Sequence, residues 1–207
     1  MFKTIKEDTS AEIVEKKSKF IANVFYIESQ EEAEEKIKMI SKKYFDARHN
    51  CYAYSIFTKN GIVNKFSDDG EPSGTAGAPM LNILTSKGIT NILVIVTRYF
   101  GGILLGTGGL VRAYTGATQE ALEKTEEIKK DLGIEAKIEV SYSDLEKCKY
   151  YLNQNDIMII DSEYGENIFL TIEITEKKLK ELSNNEHNLN FNIIRQIIVR
   201  EKYIMIK

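Results

Sequence analysis

Two glycine-rich stretches hold most of the residues whose types and spacing suit chemistry on an oxyanion. The first reads Asp68-Asp69-Gly70-Glu71-Pro72-Ser73-Gly74-Thr75-Ala76-Gly77, and the second runs from Thr97 to Tyr114 through Arg98-Tyr99-Phe100-Gly101-Gly102 and Gly106-Thr107-Gly108-Gly109, with Arg112 following. Ten of the 13 glycines and both prolines fall between Gly70 and Gly116. Each stretch leads into an expected helix. A helix start offers unpaired amides and the positive end of the dipole, and glycine lets a backbone approach an anion closely. The candidate phosphate or nucleic-acid contacts are therefore Ser73, Gly74, Thr75, Arg98, Tyr99, Gly101, Gly102, Gly106, Thr107, Gly108, Gly109 and Arg112. Tight turns and close packing would also use glycine, and Arg98 and Arg112 suit ion pairs with Asp68, Asp69 or Glu71 equally well.

Known small-molecule motifs are not met. No Gly-Lys-Ser/Thr follows the glycines, and Gly106, Gly108 and Gly109 do not make the dinucleotide fingerprint. The motif acids Asp68, Asp69 and Glu71 are the only obvious magnesium ligands or general base in this region, but acids before Gly and Pro are also ordinary turn chemistry. Neither a resident metal nor a cofactor is expected. His49 and Cys51 lie too close along one expected strand to form a nucleophilic pair, which is normally assembled across the fold. His187 is expected on an exposed loop. Cys51 and Cys148 lack paired spacing and read as buried thiols.

The elements that must position these groups follow from periodicity. Strands are expected over 11–17 and at Phe20, Ala22, Val24 and Tyr26. A helix capped by Ser29 and Glu32 carries Ala33, Ile37, Ile40 and Tyr44. Cys51 to Phe57 and Ile62 to Phe66 form a hairpin about Asn60-Gly61. A helix over 76–86, a buried strand over 92–96 and a long helix bearing Leu110, Tyr114, Ala117 and Ala121 complete an α+β domain over residues 1–128. Residues 129–207 then read β, α, β, β, α, β, with helices capped at Ser143 (with Glu146) and Thr175, which is the ferredoxin-like order.

Composition narrows the partners. A net charge of -3 argues against coating nucleic acid by bulk charge. Charge is unevenly spread, however. Residues 44–115 carry six basic against four acidic side chains, whereas 116–207 carry 13 against 18. The aromatics near the motifs suit base stacking as well as core packing, and Tyr99 and Phe100 are the best placed for exposure. No apolar run approaches the roughly 20 residues of a membrane span, and the start lacks a signal-peptide core, so the cytoplasm is the expected compartment.

The two glycine stretches, with Lys16-Lys17-Ser18-Lys19-Phe20-Ile21 and His49-Asn50-Cys51-Tyr52-Ala53-Tyr54, closely resemble the hallmark of the YigZ/Impact family. The resemblance implies a two-layer N-terminal domain like domain 2 of ribosomal protein S5 and a C-terminal ferredoxin-like domain, a pair similar to the last two domains of elongation factor G. It implies a translation-associated accessory or regulatory factor that binds RNA, the ribosome or a translation-factor partner, with no sequence readout of DNA. No catalytic constellation is recognised. An enzyme or binder acting on a phosphorylated small molecule or nucleotide is the alternative, and a pure protein adaptor is a third reading.

Overall fold

The computed structural model describes residues 1–58, 60–183 and 189–206. His187, expected on an exposed loop, lies outside these. The fold is mixed α+β and divides into one unit of Phe2–Ile128 and another of Lys129–Lys207 with Met1. No helix among the described residues is long and apolar enough to cross a membrane.

In the first unit, an antiparallel sheet has the order β2 (Thr9–Glu15), β3 (Ser18–Tyr26), β6 (Ile92–Tyr99), β4 (His49–Thr58), β5 (Gly61–Ser67). Helices α2 (Gly77–Lys87) and α3 (Gly106–Leu122) bury Met80, Leu84, Leu110, Ala113 and Tyr114 against Phe20, Val24, Val94 and Val96. The expected two layers prove to be three. Helix α1 (Gln30–Lys43) covers the opposite face, with Ala33 and Ile40 on Tyr54, Ile56, Leu93 and Ile95. Successive β6 side chains alternate between these two cores, so Ile92 to Arg98 is buried throughout, as a strand covered on both faces must be. Ser29 caps α1 as expected, but Glu32 reaches the amide of Glu28 rather than that of Ser29, extending the cap by one residue.

The sequence reading missed β1 (Phe2–Ile5), a strand too short to carry periodicity, whose Lys3 carbonyl accepts from Thr90 N–H at 2.8 Å. β7 (Glu127–Val140) starts well before the expected alternation at Ala136.

In the second unit, β10 (Ile193–Ile206), β7, β9 (Ile168–Ile174) and β8 (Met158–Tyr164) lie side by side in that order, all antiparallel. This is the split βαββαβ arrangement. Helices α4 (Leu145–Gln154) and α5 (Glu176–Ser183) place Leu145, Cys148, Leu152, Leu179 and Leu182 on the inward-facing Ile134, Ala136, Ile138, Leu170 and Ile172. The expected cap at Ser143 is not formed. α4 starts at Leu145, and Ser143 instead bonds Ser141. On the other side of the sheet, Arg200 and Lys202 bind Glu135, Lys202 binds Glu173 at 2.6 Å, and Lys137 binds Glu163. These bases are engaged by the domain's own acids.

Candidate functional site

The first glycine stretch fills its own anion site. Asp68 Oδ1 accepts from the amides of Ala76 at 3.0 Å and Gly77 at 2.9 Å, and Oδ2 accepts from Gly74 N–H at 2.8 Å. A carboxylate thus sits where a phosphate on the start of α2 would sit, on donors the helix cannot satisfy itself. Thr75 is buried and donates to the Pro72 carbonyl at 2.6 Å, closing the turn. Of the expected contacts here, Gly74 and Thr75 are committed internally, and the exposed Ser73 is followed by four amides, Gly74 to Gly77, that are all taken.

The other motif acids are engaged as well. Asp69 Oδ2 accepts from Asn50 N–H at 2.6 Å, and its carbonyl accepts from His49 Nδ1 at 2.7 Å. Glu71 Oε1 accepts from Arg98 Nη1 at 2.6 Å and from the Tyr114 hydroxyl at 2.9 Å, with its side chain only 3% exposed. The three carboxylates thus serve three different sets of donors rather than converging on one point. Beside them the Cys51 thiol donates to the Asp68 carbonyl at 3.0 Å and lies 3.3 Å from the Tyr114 hydroxyl. Burial pushes this thiol up to about 12, and Cys148 likewise, so neither is a nucleophile near neutral pH.

Arg98 is therefore a structural cation. Its guanidinium is held by Glu71 and lies over the rings of Phe20 and Phe100, 5.5 and 5.6 Å from their centroids. Its Nε has no partner among the described residues. Strand alternation sends Tyr99 to the opposite face, where its hydroxyl donates to Asp46 at 2.7 Å. Arg98 and Tyr99 line one groove, but each is engaged internally, Arg98 by Glu71 and Tyr99 by Asp46.

The second glycine stretch is different. α3 starts at Gly106 with no side-chain cap and no acid in its first turn, and Gly106, Thr107 and Gly108 are exposed. Gly101 is required for packing, since a Cβ there would meet the Lys17 backbone at 2.0 Å, and Gly109 lies tight on Leu105. Gly108 is required for neither reason. It lacks a positive φ, and the nearest atom to a built Cβ is Arg112 Nη1 at 3.7 Å. A helical glycine costs about 1 kcal/mol relative to alanine, so at Gly108 that cost leaves an uncovered turn with a guanidinium beside it.

Sequence reasoning missed three cations near this turn. Lys16 and Lys17 form the β2–β3 turn that packs on Gly101, and the exposed Arg48 lines a groove with Arg98 and Phe100. Among the described residues no ion pair or side-chain hydrogen bond engages Lys16, Lys17, Arg48 or Arg112, in contrast to the paired bases of the second unit. The available signal was the Lys16-Lys17 dipeptide, which the structure places in a turn with φ of 44° and 63°.

The Impact N-terminal domain matches residues 16–122, which contain both glycine stretches and the groups around them, and a domain of unknown function matches 138–185. The chain is 37% identical over 180 residues to the IMPACT family member YvyE of Bacillus subtilis (strain 168), covering 87% of this chain and 82% of that one. The chain belongs to the IMPACT family. The IMPACT family member YigZ of Escherichia coli (strain K12) is 38% identical over 169 residues, 81% of this chain and 83% of its own. A solved structure described as a hypothetical protein covers 97% of this chain and 98% of its own, at 32% identity and a TM-score of 0.64.

Proposed function

We propose that this IMPACT-family chain is a translation-associated accessory factor that binds RNA, on the ribosome or free, through phosphate contacts at the start of α3. The observation that carries the reading is the contrast between two helix starts: α2 is closed by Asp68, whereas α3 presents Gly106, Thr107 and Gly108 uncapped, with Arg112 alongside. Arg48, Lys16 and Lys17 add charge, and their side chains have no partner among the described residues. Such groups set affinity and register on a nucleic-acid backbone and carry no sequence code. Family membership supports the translation side, and the resemblance described above is what points to kinship with ribosomal protein S5 domain 2 and the closing domains of elongation factor G. The split sheet of the second unit accords with that kinship. Its ion-paired outer face favours the first unit as the RNA-binding half, with residues 1–128 read as one domain and 129–207 as the other.

The enzyme alternative fares less well because its acids are spoken for. The test is binding of the intact protein to ribosomal subunits and short RNAs at two salt concentrations. Affinity should fall steeply with salt, about 0.7 units of log K per log salt for each single-strand phosphate contacted. Salt-independent binding, or none at low salt, would remove the reading.

A further inference from the structure

We propose that the groove at the end of β6 and the loop leading into α3 seats one unstacked base of single-stranded RNA against Phe100, an inference that rests on the phosphate site proposed above. The groove, about 640 Å³ in volume, is lined by Asp46, Arg48, His49, Arg98, Phe100 and Leu104, together with Tyr99. This is within the roughly 300–1,000 Å³ typical of small-ligand sites. Phe100 and Leu104 are 55% and 83% exposed. Their exposure does not come from a slack loop, because Gly101 N–H bonds Ser18 Oγ at 3.1 Å and its Cα lies hard on the Lys17 backbone. The Arg98 guanidinium, anchored by Glu71, lies by the Phe100 ring and orients it. An oriented, half-exposed aromatic ring beside Arg48, which has no ion-pair partner among the described residues, matches the platform on which single-stranded nucleic acids stack their bases.

The groove also carries a group for a base edge. His49 donates through Nδ1 to the Asp69 carbonyl, which leaves Nε2 to meet a base edge. Arg48, whose side chain has no partner among the described residues, remains for the adjoining phosphate. Leu104 lies two residues before Gly106, at most about 7 Å of chain, so the phosphate next to a seated base falls near the amides of α3. A duplex cannot use such a slot, because its bases remain stacked and paired.

The chain has no tryptophan, so Phe100→Trp introduces a single reporter in the groove. The variant is titrated with a short adenine-rich single strand and with the corresponding duplex at low salt. Phe100→Ala is compared with the wild type, the fold of both variants being checked by thermal unfolding. The single strand should quench the tryptophan saturably and bind several-fold more tightly than the duplex, and Phe100→Ala should weaken it roughly 5- to 150-fold. If single strand and duplex bind alike, without quenching and without loss on Phe100→Ala, the base slot is overturned while the phosphate site stands. If neither binds at low salt, the phosphate reading fails and the base slot with it.

Discussion

Glu71 and Arg98 meet at 2.6 Å across 27 residues, with side chains 3% and 8% exposed, and so tie the first glycine stretch to the end of β6. Removing either partner strands a buried charge. Glu71→Ala should cost about 3–5 kcal/mol of unfolding free energy, read from urea denaturation. The double variant Glu71→Ala/Arg98→Ala should cost clearly less than the sum of the singles. A single-variant loss below about 1 kcal/mol would show that the pair does not hold the loops. Arg98 variants are therefore unsuited to testing ligand binding.

Asp68 stands in for an anion on α2. Asp68→Ala should destabilise by about 1–3 kcal/mol through the freed amides. It should also create a site that was closed: sulfate should raise the melting temperature of the variant more than that of the wild type. Equal sulfate shifts would mean that the amides of Gly74, Ala76 and Gly77 do not form an anion cradle.

The Tyr99 phenol is pushed up to about 12, first by its hydrogen bond to Asp46 and then by desolvation. The folded value lies above the ordinary 10.0, so this group's contribution to stability is complete below pH 10 and is lost as pH rises towards 12. The difference between wild-type and Tyr99→Phe absorbance titrations should show one phenol ionising late, and Asp46→Ala should return it towards 10. An unshifted titration in the wild type would contradict the Asp46 contact.

Two glycines of the second stretch should respond oppositely. Gly101→Ala forces a methyl into the Lys17 backbone and should destabilise by a kcal/mol or more. Gly108→Ala meets only ordinary contact and should hold or gain up to about 1 kcal/mol, while weakening RNA binding. Thermal unfolding of both variants checks the first half and RNA titration the second. Destabilisation by Gly108→Ala would remove the argument that its bareness serves a ligand.

Much of this was legible in local pattern. The Ser29 cap, the apolar run of β6 and the alternation in β9 each depend on neighbours in sequence. The third layer was implicit in β6, since an unbroken apolar run means two covered faces, but which helix covers the second depends on Leu93 and Ile95 meeting Ala33 and Ile40 at long range. The fates of Asp68, Asp69 and Glu71 were not legible for the same reason: turn acid, ligand and buried ion-pair partner have one sequence signature, and only the position of Arg98 and of the α2 amides separates them. Arg48, Lys16 and Lys17 were missed because their proximity to Arg98 and Gly101 arises from strand pairing and a turn contact, not from spacing.

The central claim is that phosphate is bound at the start of α3. It is tested most directly by the salt dependence of RNA binding in Arg48→Ala/Arg112→Ala, two exposed sites whose loss should leave the melting temperature within a degree or two of wild type. The slope of log K against log salt should fall by about 1.4, from roughly 0.7 per lost phosphate contact. An unchanged slope with an intact fold would contradict it.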